Sequence, residues 1–223
     1  MPRARILFFV KPPRPGAVKT RLARVLGAAA AAEAYSAFAG DVLDTLKALE
    51  VPLTVCFSPE ADREEIAAWL GPDCDCRPQA GADLGGRMAE ALAWALAAGA
   101  GRAVLVGSDL PDLPAARVES ALSALRDHDA VLLPAGDGGY GLVGFRCEGF
   151  RAGAFAGIDW STPRVMAQSL AAMERLGLGC AVLEPWPDVD EVEDLAALAA
   201  RLRAAPEAAP RTRAWLARQG FLA

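Results

Sequence analysis

Short apolar runs alternate with segments of helical periodicity along most of the chain. The runs have the length of single strands, and each ends in residues rich in glycine, proline or small polar types. They cover residues 5–10, 51–57, 104–106, 130–133 and 180–183. Apolar runs of this length are typical of strands that helices cover on both faces. The repeated order of strand, loop and helix therefore predicts an α/β fold with a mainly parallel, doubly wound sheet.

One of these runs continues into the sequence VLVGSDLPDLP, residues 104–114. Asp109 comes directly after the Gly107-Ser108 pair that ends the strand. Ligands of open α/β sheets bind beyond the carboxyl ends of the strands. A carboxylate in that place can hold a divalent metal and, through it, a diphosphate. Aspartate is also common at helix caps and turns, so a purely structural role for Asp109 is the alternative.

A basic loop follows the first strand, in the segment KPPRPGAVKTRLARVLG at residues 11–27. Its prolines exclude regular structure at the start, and a helical pattern begins near Lys19. Backbone N–H groups at a helix start attract anions, so Lys11, Lys19 and Arg21 are candidate phosphate ligands. A solvated surface loop is the alternative. The segment matches neither a Walker A loop nor a Gly-x-Gly-x-x-Gly motif.

A tight turn is predicted at Asp137, where two glycines follow the acid. It lies between apolar segments at 130–133 and 140–145, which indicates a local antiparallel hairpin. Asp137 at the tip would face the same edge of the sheet as Asp109. It could serve there as a base for an acceptor, or it could be a turn residue only.

Two more acids, Asp188 and Asp190, flank Val189 in a segment expected to be extended. We predict that their side chains point to opposite faces, so that one reaches a metal while the other caps the helix beginning near Glu191. Asp190 is closer to that helix start, which favours Asp188 as the metal ligand.

The charge of the chain is unevenly distributed. The 223 residues carry a formal net charge of −5, yet residues 1–32 hold seven basic side chains and no acid. The rest of the chain holds 16 basic and 28 acidic residues. A basic end on an acidic protein indicates a local anion site. A nucleic-acid surface would be larger and would carry exposed aromatic residues, so no nucleic-acid partner is expected.

Targeting and redox signals point to the cytoplasm. No apolar run approaches the roughly 18 residues of a membrane span, and no signal-peptide cleavage site follows the first strand, so no membrane partner is expected. The five cysteines are an odd number without metal-site spacing, which indicates a reducing compartment. Cys56, Cys147 and Cys180 lie in apolar segments and are expected to be buried.

Six motifs occur in the order found in a bacterial family of glycosyltransferase-A-like nucleotide-diphospho-sugar transferases, which this chain resembles over about residues 5–202. They are KPPRPGAVKTRLA, QAGADLGGRM, VGSDLPDLP, LLPAGDGGYGLVGF, GIDWST and DVDEVEDL. The first is also similar to the opening motif of 2-phospho-L-lactate guanylyltransferases. The last is similar to an acidic motif of molybdenum-cofactor nucleotidyltransferases.

The resemblance implies a Rossmann-like fold of the glycosyltransferase-A type and a set of site residues. Asp109 would bind Mg²⁺ or Mn²⁺ together with Asp188 or Asp190, and Lys19 and Arg21 would bind phosphate. The nucleotide or its phosphates would also contact Lys11, Gly107, Ser108, Gly138 and Gly139. Asp109 and Asp137 are the catalytic candidates.

One departure from the family pattern concerns the reaction. Glycosyltransferases of this fold usually carry Asp-x-Asp, whereas here the second acid, Asp112, comes one place late. The expected function is a metal-dependent transferase that acts on a nucleotide sugar or a nucleoside triphosphate and a small-molecule acceptor. A nucleotidyltransferase that releases pyrophosphate is the alternative, and a nucleotide-binding module without catalysis is a third. We expect one transferase domain at residues 1–203 and a linker with a short helix at 204–223.

Overall fold

The computed structural model describes residues 4–58, 61 and 63–222. Seven strands and eight α-helices are found in these residues. The strands are β1 Ala4–Val10, β2 Leu53–Phe57, β3 Cys76–Pro78, β4 Arg102–Val106, β5 Ala130–Pro134, β6 Tyr140–Arg146 and β7 Cys180–Val182. The helices are α1 Thr20–Leu26, α2 Ala28–Lys47, α3 Arg63–Leu70, α4 Leu84–Ala97, α5 Ala115–Ala124, α6 Val165–Arg175, α7 Val192–Ala204 and α8 Pro210–Arg218. Arg3, one of the seven basic residues near the start, lies outside the described residues.

The strands form one sheet in the order β3-β2-β1-β4-β6-β5-β7. Strand β6 runs antiparallel to both of its neighbours, β4 and β5, while the other pairs are parallel. The predicted α/β class and the predicted hairpin are therefore confirmed. The hairpin partner β6 is inserted between β4 and β5, so it separates two strands that a simple parallel order would place side by side.

Alternation along the central strands explains why helices cover both faces. In β1, the side chains of Ile6, Phe8 and Val10 join one buried cluster, and those of Leu7 and Phe9 join another. The first cluster is completed by α2, α3 and α5, and the second by α4 and α6. Because successive strand residues point to opposite faces, a run that is apolar at every position needs a cover on each side.

The last helix, α8, packs onto α2 through a third apolar cluster. Trp215 is fully buried, and its ring lies edge-on to Phe38 at a centroid distance of 6.2 Å. The N-terminus of α8 has no cap from its own residues, and Asp41 of α2 accepts hydrogen bonds from the backbone N–H groups of Arg211 and Thr212 instead. The domain boundary at residue 203 stays a prediction, but α8 shares a core with α2 and α7.

The cysteine predictions are confirmed in part. All five thiols are free, and Cys56 is buried. The prediction for Cys147 is wrong, because this residue is exposed in the turn after β6, where its backbone N–H donates to Gly101. Cys180 lies on the edge strand β7 and is only partly covered. Among the helices of the described residues, none combines the length and apolarity required to cross a bilayer.

The packing of α8 predicts a large effect for one substitution. Trp215→Ala should lower the free energy of unfolding by about 3–5 kcal/mol, because it removes a fully buried aromatic side chain. Urea unfolding followed by circular dichroism measures the change. Arg218→Ala, at an exposed position of the same helix, is the control and should stay within about 0.5 kcal/mol of the wild type. Equal effects of the two substitutions would contradict a structural role for α8.

Candidate active site

A cleft of about 600 Å³ opens at the carboxyl ends of β1 and β4. The connection after β1 leads to β2 on one side of the sheet centre, whereas the connection after β4 leads to β5 on the other. Loops diverging in this way leave a crevice between adjacent strands, which is where α/β proteins bind ligands. Lys11 follows β1 and the loop Gly107–Asp109 follows β4, and both line this cleft. The structure thus brings the basic loop and Asp109 together at one edge of the sheet.

Lys19 lies at the floor of the cleft and contacts two acids. Its residue adopts a left-handed backbone conformation with φ 44° directly before α1. The side chain is only 3% exposed, and Nζ donates to Asp190 Oδ1 at 2.8 Å and pairs with Asp109. Burial alone would lower the pKa of Lys19, but the charges of Asp109 and Asp190 raise it above its ordinary value. The ammonium is therefore charged at neutral pH and is shared between two carboxylates.

A buried tyrosine that sequence reasoning missed connects the two cleft loops. The hydroxyl of Tyr35 in α2 accepts a hydrogen bond from the backbone N–H of Lys11 at 2.9 Å and lies 2.9 Å from Ser108 Oγ. Burial, and then the charge of Asp109, raise the pKa of Tyr35 to about 12. The phenol thus stays neutral and holds the loops after β1 and β4 together. A tyrosine within the alanine-rich segment 28–39 was the available signal.

Two further carboxylates converge on Asp190 beside Lys19. Oxygens of Asp137, Asp188 and Asp190 lie within 4.8 Å of one another, the one such group of acids found among the described residues. Asp188 Oδ1 accepts from Gly136 N at 3.0 Å, and Asp137 Oδ1 accepts from Gly139 N at 2.8 Å. Burial raises the pKa of Asp188 to about 6, with the charges of Asp137 and Asp190 adding to the shift. Mutual repulsion of this kind suits a site that a hard divalent cation can occupy.

The prediction for Asp188 and Asp190 is wrong in its geometry. Residues two apart in an extended segment share a face, and here both acids join the same cluster while Val189 between them is fully buried. Neither acid caps α7. Glu191 is the N-cap, and it forms a capping box with Asp194. The segment therefore contributes two carboxylates to one place.

The remaining predicted residues are found in different settings. Lys11 and Arg21 line the cleft, and Arg21 also contacts Glu191 at 3.3 Å. Gly138 has φ 85° and packs so closely on Pro163 that a Cβ would lie 2.5 Å from its carbonyl oxygen. Gly138 thus shapes the turn that presents Asp137. Asp109 lies outside the three-acid group and reaches Asp190 through the Lys19 ammonium, so a metal shared by Asp109 and either later acid stays a prediction.

The cleft also contains residues that were not predicted from the sequence as site residues. The lining includes Gln79, at the end of β3, and Arg87, in the first turns of α4. Both lie in the QAGADLGGRM segment, whose glycines were the available signal. Asp83 accepts a hydrogen bond from Gly86 N as the N-cap of α4, and this fixes the helix start beside the cleft.

The fold and the position of the cleft define a nucleotide-diphospho-sugar transferase fold. A crystal structure of a protein from Desulfovibrio desulfuricans G20, provisionally named a nucleotide-diphospho-sugar transferase, matches with a TM-score of 0.93 and 40% identity over 99% of this chain and 96% of that one. The chain belongs to the bacterial family described as "Uncharacterized protein conserved in bacteria (DUF2064)", which matches residues 42–162.

Two further comparisons extend this result. A 3-phospho-D-glycerate guanylyltransferase from Phenylobacterium zucineum (strain HLK1) is 36% identical over 193 residues, which are 79% of this chain and 81% of that protein. A 4-diphosphocytidyl-2C-methyl-D-erythritol synthase from Anaerococcus prevotii DSM 20548 matches with a TM-score of 0.61 over 91% of this chain and 96% of that one. At 12% identity the second likeness shows the fold alone. The predicted fold family is confirmed, and the homologues are named as transferases.

The crowding of carboxylates predicts a stability gain on removing one charge. Asp188→Asn should raise the melting temperature of the metal-free protein at pH 8 by about 2–4 °C, or ~1 kcal/mol after allowance for solvent screening. The pKa of Asp188 is raised in the folded state, so its ionisation destabilises the fold at high pH and has no such effect below its ordinary pKa.

Thermal melts at pH 4 and pH 8 measure this difference. The gain should vanish at pH 4, where Asp188 is protonated in the wild type. Asp127→Asn, at an exposed position, is the control and should change the melting temperature at neither pH. A variant less stable than the wild type at pH 8 would contradict repulsion within the acid cluster.

Proposed function

We propose that the protein is a metal-dependent nucleotidyltransferase, which transfers a nucleoside monophosphate from a triphosphate to a small anionic acceptor and releases pyrophosphate. One observation carries the proposal. Asp109, Asp137, Asp188 and Asp190 bring four carboxylates to the place in the cleft where Lys19 supplies one ammonium. A triphosphate is itself strongly negative, so it can approach these acids only together with divalent cations.

The donor set fits Mg²⁺ or Mn²⁺. Both ions prefer oxygen ligands, and Mg²⁺ usually takes one or two carboxylates with phosphate oxygens and water. Asp137 and Asp190 line the cleft, and Asp188 lies within 4.8 Å of both. A cation bound there would neutralise phosphate charge and polarise the reacting phosphate. Asp109, whose side chain is 44% exposed, would offer a further oxygen at the cleft floor.

Lys19 is proposed to set the geometry of the acids rather than to act as a mobile phosphate ligand. Its ammonium already fixes Asp109 and Asp190, so these charges need not reorganise when substrate binds. The outer phosphates would then be neutralised by Lys11 and Arg21 and would approach the backbone beside Gly107 and Ser108, which also line the cleft.

GTP and a phosphorylated hydroxy acid are the proposed substrate pair, since the 36% identical relative is named for guanylyl transfer to 3-phospho-D-glycerate. A phosphate monoester is mostly ionised at pH 7, so its oxygen needs no general base. That oxygen would form a bond to the α-phosphorus as the bond from the α-phosphorus to the leaving pyrophosphate breaks. Asp137 is then available as a metal ligand rather than as the base for an acceptor.

Glycosyl transfer from a nucleotide sugar is the second candidate. The name given to the 40% identical protein from Desulfovibrio desulfuricans favours it. Such a reaction would attack the sugar carbon and release a nucleoside diphosphate, so the products separate the two reactions. In either case the partners are small molecules, and the five free thiols favour the reducing cytoplasm as the place of the reaction.

Product analysis tests the proposal directly. The protein should be incubated with each of four ribonucleoside triphosphates or a panel of nucleotide sugars, with 3-phosphoglycerate or 2-phospholactate, and with Mg²⁺ or Mn²⁺. We expect pyrophosphate from one triphosphate, dependent on both metal and acceptor. Release of a nucleoside diphosphate from a nucleotide sugar would overturn nucleotidyl transfer in favour of glycosyl transfer.

Asp137→Asn tests the acid cluster with little risk to the fold. Asparagine keeps the oxygen that accepts from Gly139 N, and the residue is exposed, so only the charge of the proposed ligand is lost. Turnover should fall about a hundredfold or more. Steady-state kinetics at saturating metal measure it, and Asp127→Asn should retain wild-type turnover. A fully active Asp137→Asn variant would remove Asp137 from the metal site.

A further inference from the structure

Asp112, the acid one place late for an Asp-x-Asp pair, is not part of the cleft. Its side chain is only 4% exposed. It lies in the loop after β4, three residues beyond Asp109, with Pro111 between them. A carboxylate that is buried so completely needs partners for its charge.

Its partners come from two segments close to the chain's C-terminal end. Arg201 of α7 donates from Nε to Asp112 Oδ2 at 2.6 Å and from Nη2 to Asp112 Oδ1 at 3.2 Å. The indole N–H of Trp186 donates to Asp112 Oδ1 at 3.2 Å. Trp186 is two residues before Asp188, and α7 begins two residues after Asp190. Asp112 therefore contacts the chain both before and after the two acids, at the start of the acid segment 186–190 and in α7.

Backbone contacts show where this segment is directed. Trp186 N donates to Pro134 O at 3.0 Å, and Val189 N donates to Asp109 O at 3.0 Å. The guanidinium of Arg117 lies 5.5 Å from the centre of the Trp186 ring and packs against its face. The segment thus crosses from the end of β5 to the loop after β4, and Asp112 is the side chain of that loop that fastens it.

We propose that Asp112 is a positioning residue, which holds Asp188 and Asp190 at the cleft by binding Trp186 and Arg201. The proposal rests on the proposed function for what the two acids bind. This role explains why Asp112 lies one position later than the second acid of an Asp-x-Asp pair. Asp109 remains at the cleft, while Asp112 is turned into the protein and brings two other carboxylates to the site in place of its own. Partners that orient metal ligands typically change metal affinity about 10- to 100-fold.

Asp112→Asn and Trp186→Phe test the proposal, with Asp41→Asn as the matched control. Asp41 is also a buried acid beside an arginine, but it caps α8 away from the cleft. In both aspartate variants one carboxylate oxygen is replaced by an amide NH2 group, which donates and cannot accept. Trp186→Phe removes a single donor, so it keeps the test valid if Asp112→Asn does not fold.

The first measurement is hydrogen exchange of the metal-free proteins. Asp112→Asn removes one of the two oxygens that accept from Trp186 and Arg201, and Trp186→Phe removes the indole donor. In both variants, peptides covering 185–190 should exchange at least about fivefold faster, the effect of a lost hydrogen bond on local opening. Asp41→Asn should instead accelerate exchange in α8. Unchanged exchange of 185–190 in the Asp112 and Trp186 variants would overturn the proposal.

The second measurement is Mn²⁺ affinity by electron paramagnetic resonance titration. Asp112→Asn should raise the Kd about tenfold, and Asp41→Asn should leave it unchanged. Adding Asp112→Asn to Trp186→Phe should raise it by less than Asp112→Asn does alone, because the two residues share one interaction. The positioning role would be overturned if Asp41→Asn weakened Mn²⁺ binding as much as Asp112→Asn does. It would also be overturned if Asp112→Asn made residues 185–190 exchange faster and left the Mn²⁺ affinity unchanged. A wild type that binds no Mn²⁺ would overturn the proposed metal site, and the exchange data would still decide whether Asp112 holds the segment.

Discussion

The ammonium of Lys19 is the interaction on which the site depends. It binds Asp109, from the loop after β4, and Asp190, which is 171 residues away along the chain. Removing the buried cation would leave the two carboxylates to repel one another, so Lys19 stabilises their close approach. The left-handed backbone at Lys19 turns the basic loop into α1 and brings the ammonium to the cleft floor. The start of the fold and its last acidic segment are joined at this point.

Charge at the cleft is balanced unevenly, and the proposed metal site depends on this imbalance. Lys19 compensates Asp109 and Asp190, whereas burial, and then the charges of Asp137 and Asp190, raise the pKa of Asp188. Sites that bind metal and phosphate are commonly less stable when empty than a neutral surface would be. The surrounding residues are held by hydrogen bonds on more than one side. Tyr35 is fixed between Lys11 and Ser108, and Asp112 is fixed between Trp186 and Arg201.

The sheet determines which loops can meet. Strands β1 and β4 are neighbours whose connections leave in opposite directions, so the basic loop and the Asp109 loop face each other across one crevice. Insertion of the antiparallel strand β6 next to β4 brings the turn at Asp137 to the same edge. Residues from four distant parts of the chain thus reach one cleft although no single motif contains them.

The sequence by itself determined the class of fold and the approximate strand ends, and it predicted most of the acids of the candidate site. Apolar runs broken by glycine and proline predicted β1, β4 and β5 to within a few residues, because strand and turn preferences depend on short stretches of sequence. Tertiary structure alone decided the pairings. Three features depend on contacts between residues far apart in the chain. Lys19 binds carboxylates, and Asp188 and Asp190 join the same cluster. Asp112 is buried against Arg201. Such contacts follow from strand order and helix packing, which hydrophobic periodicity does not encode.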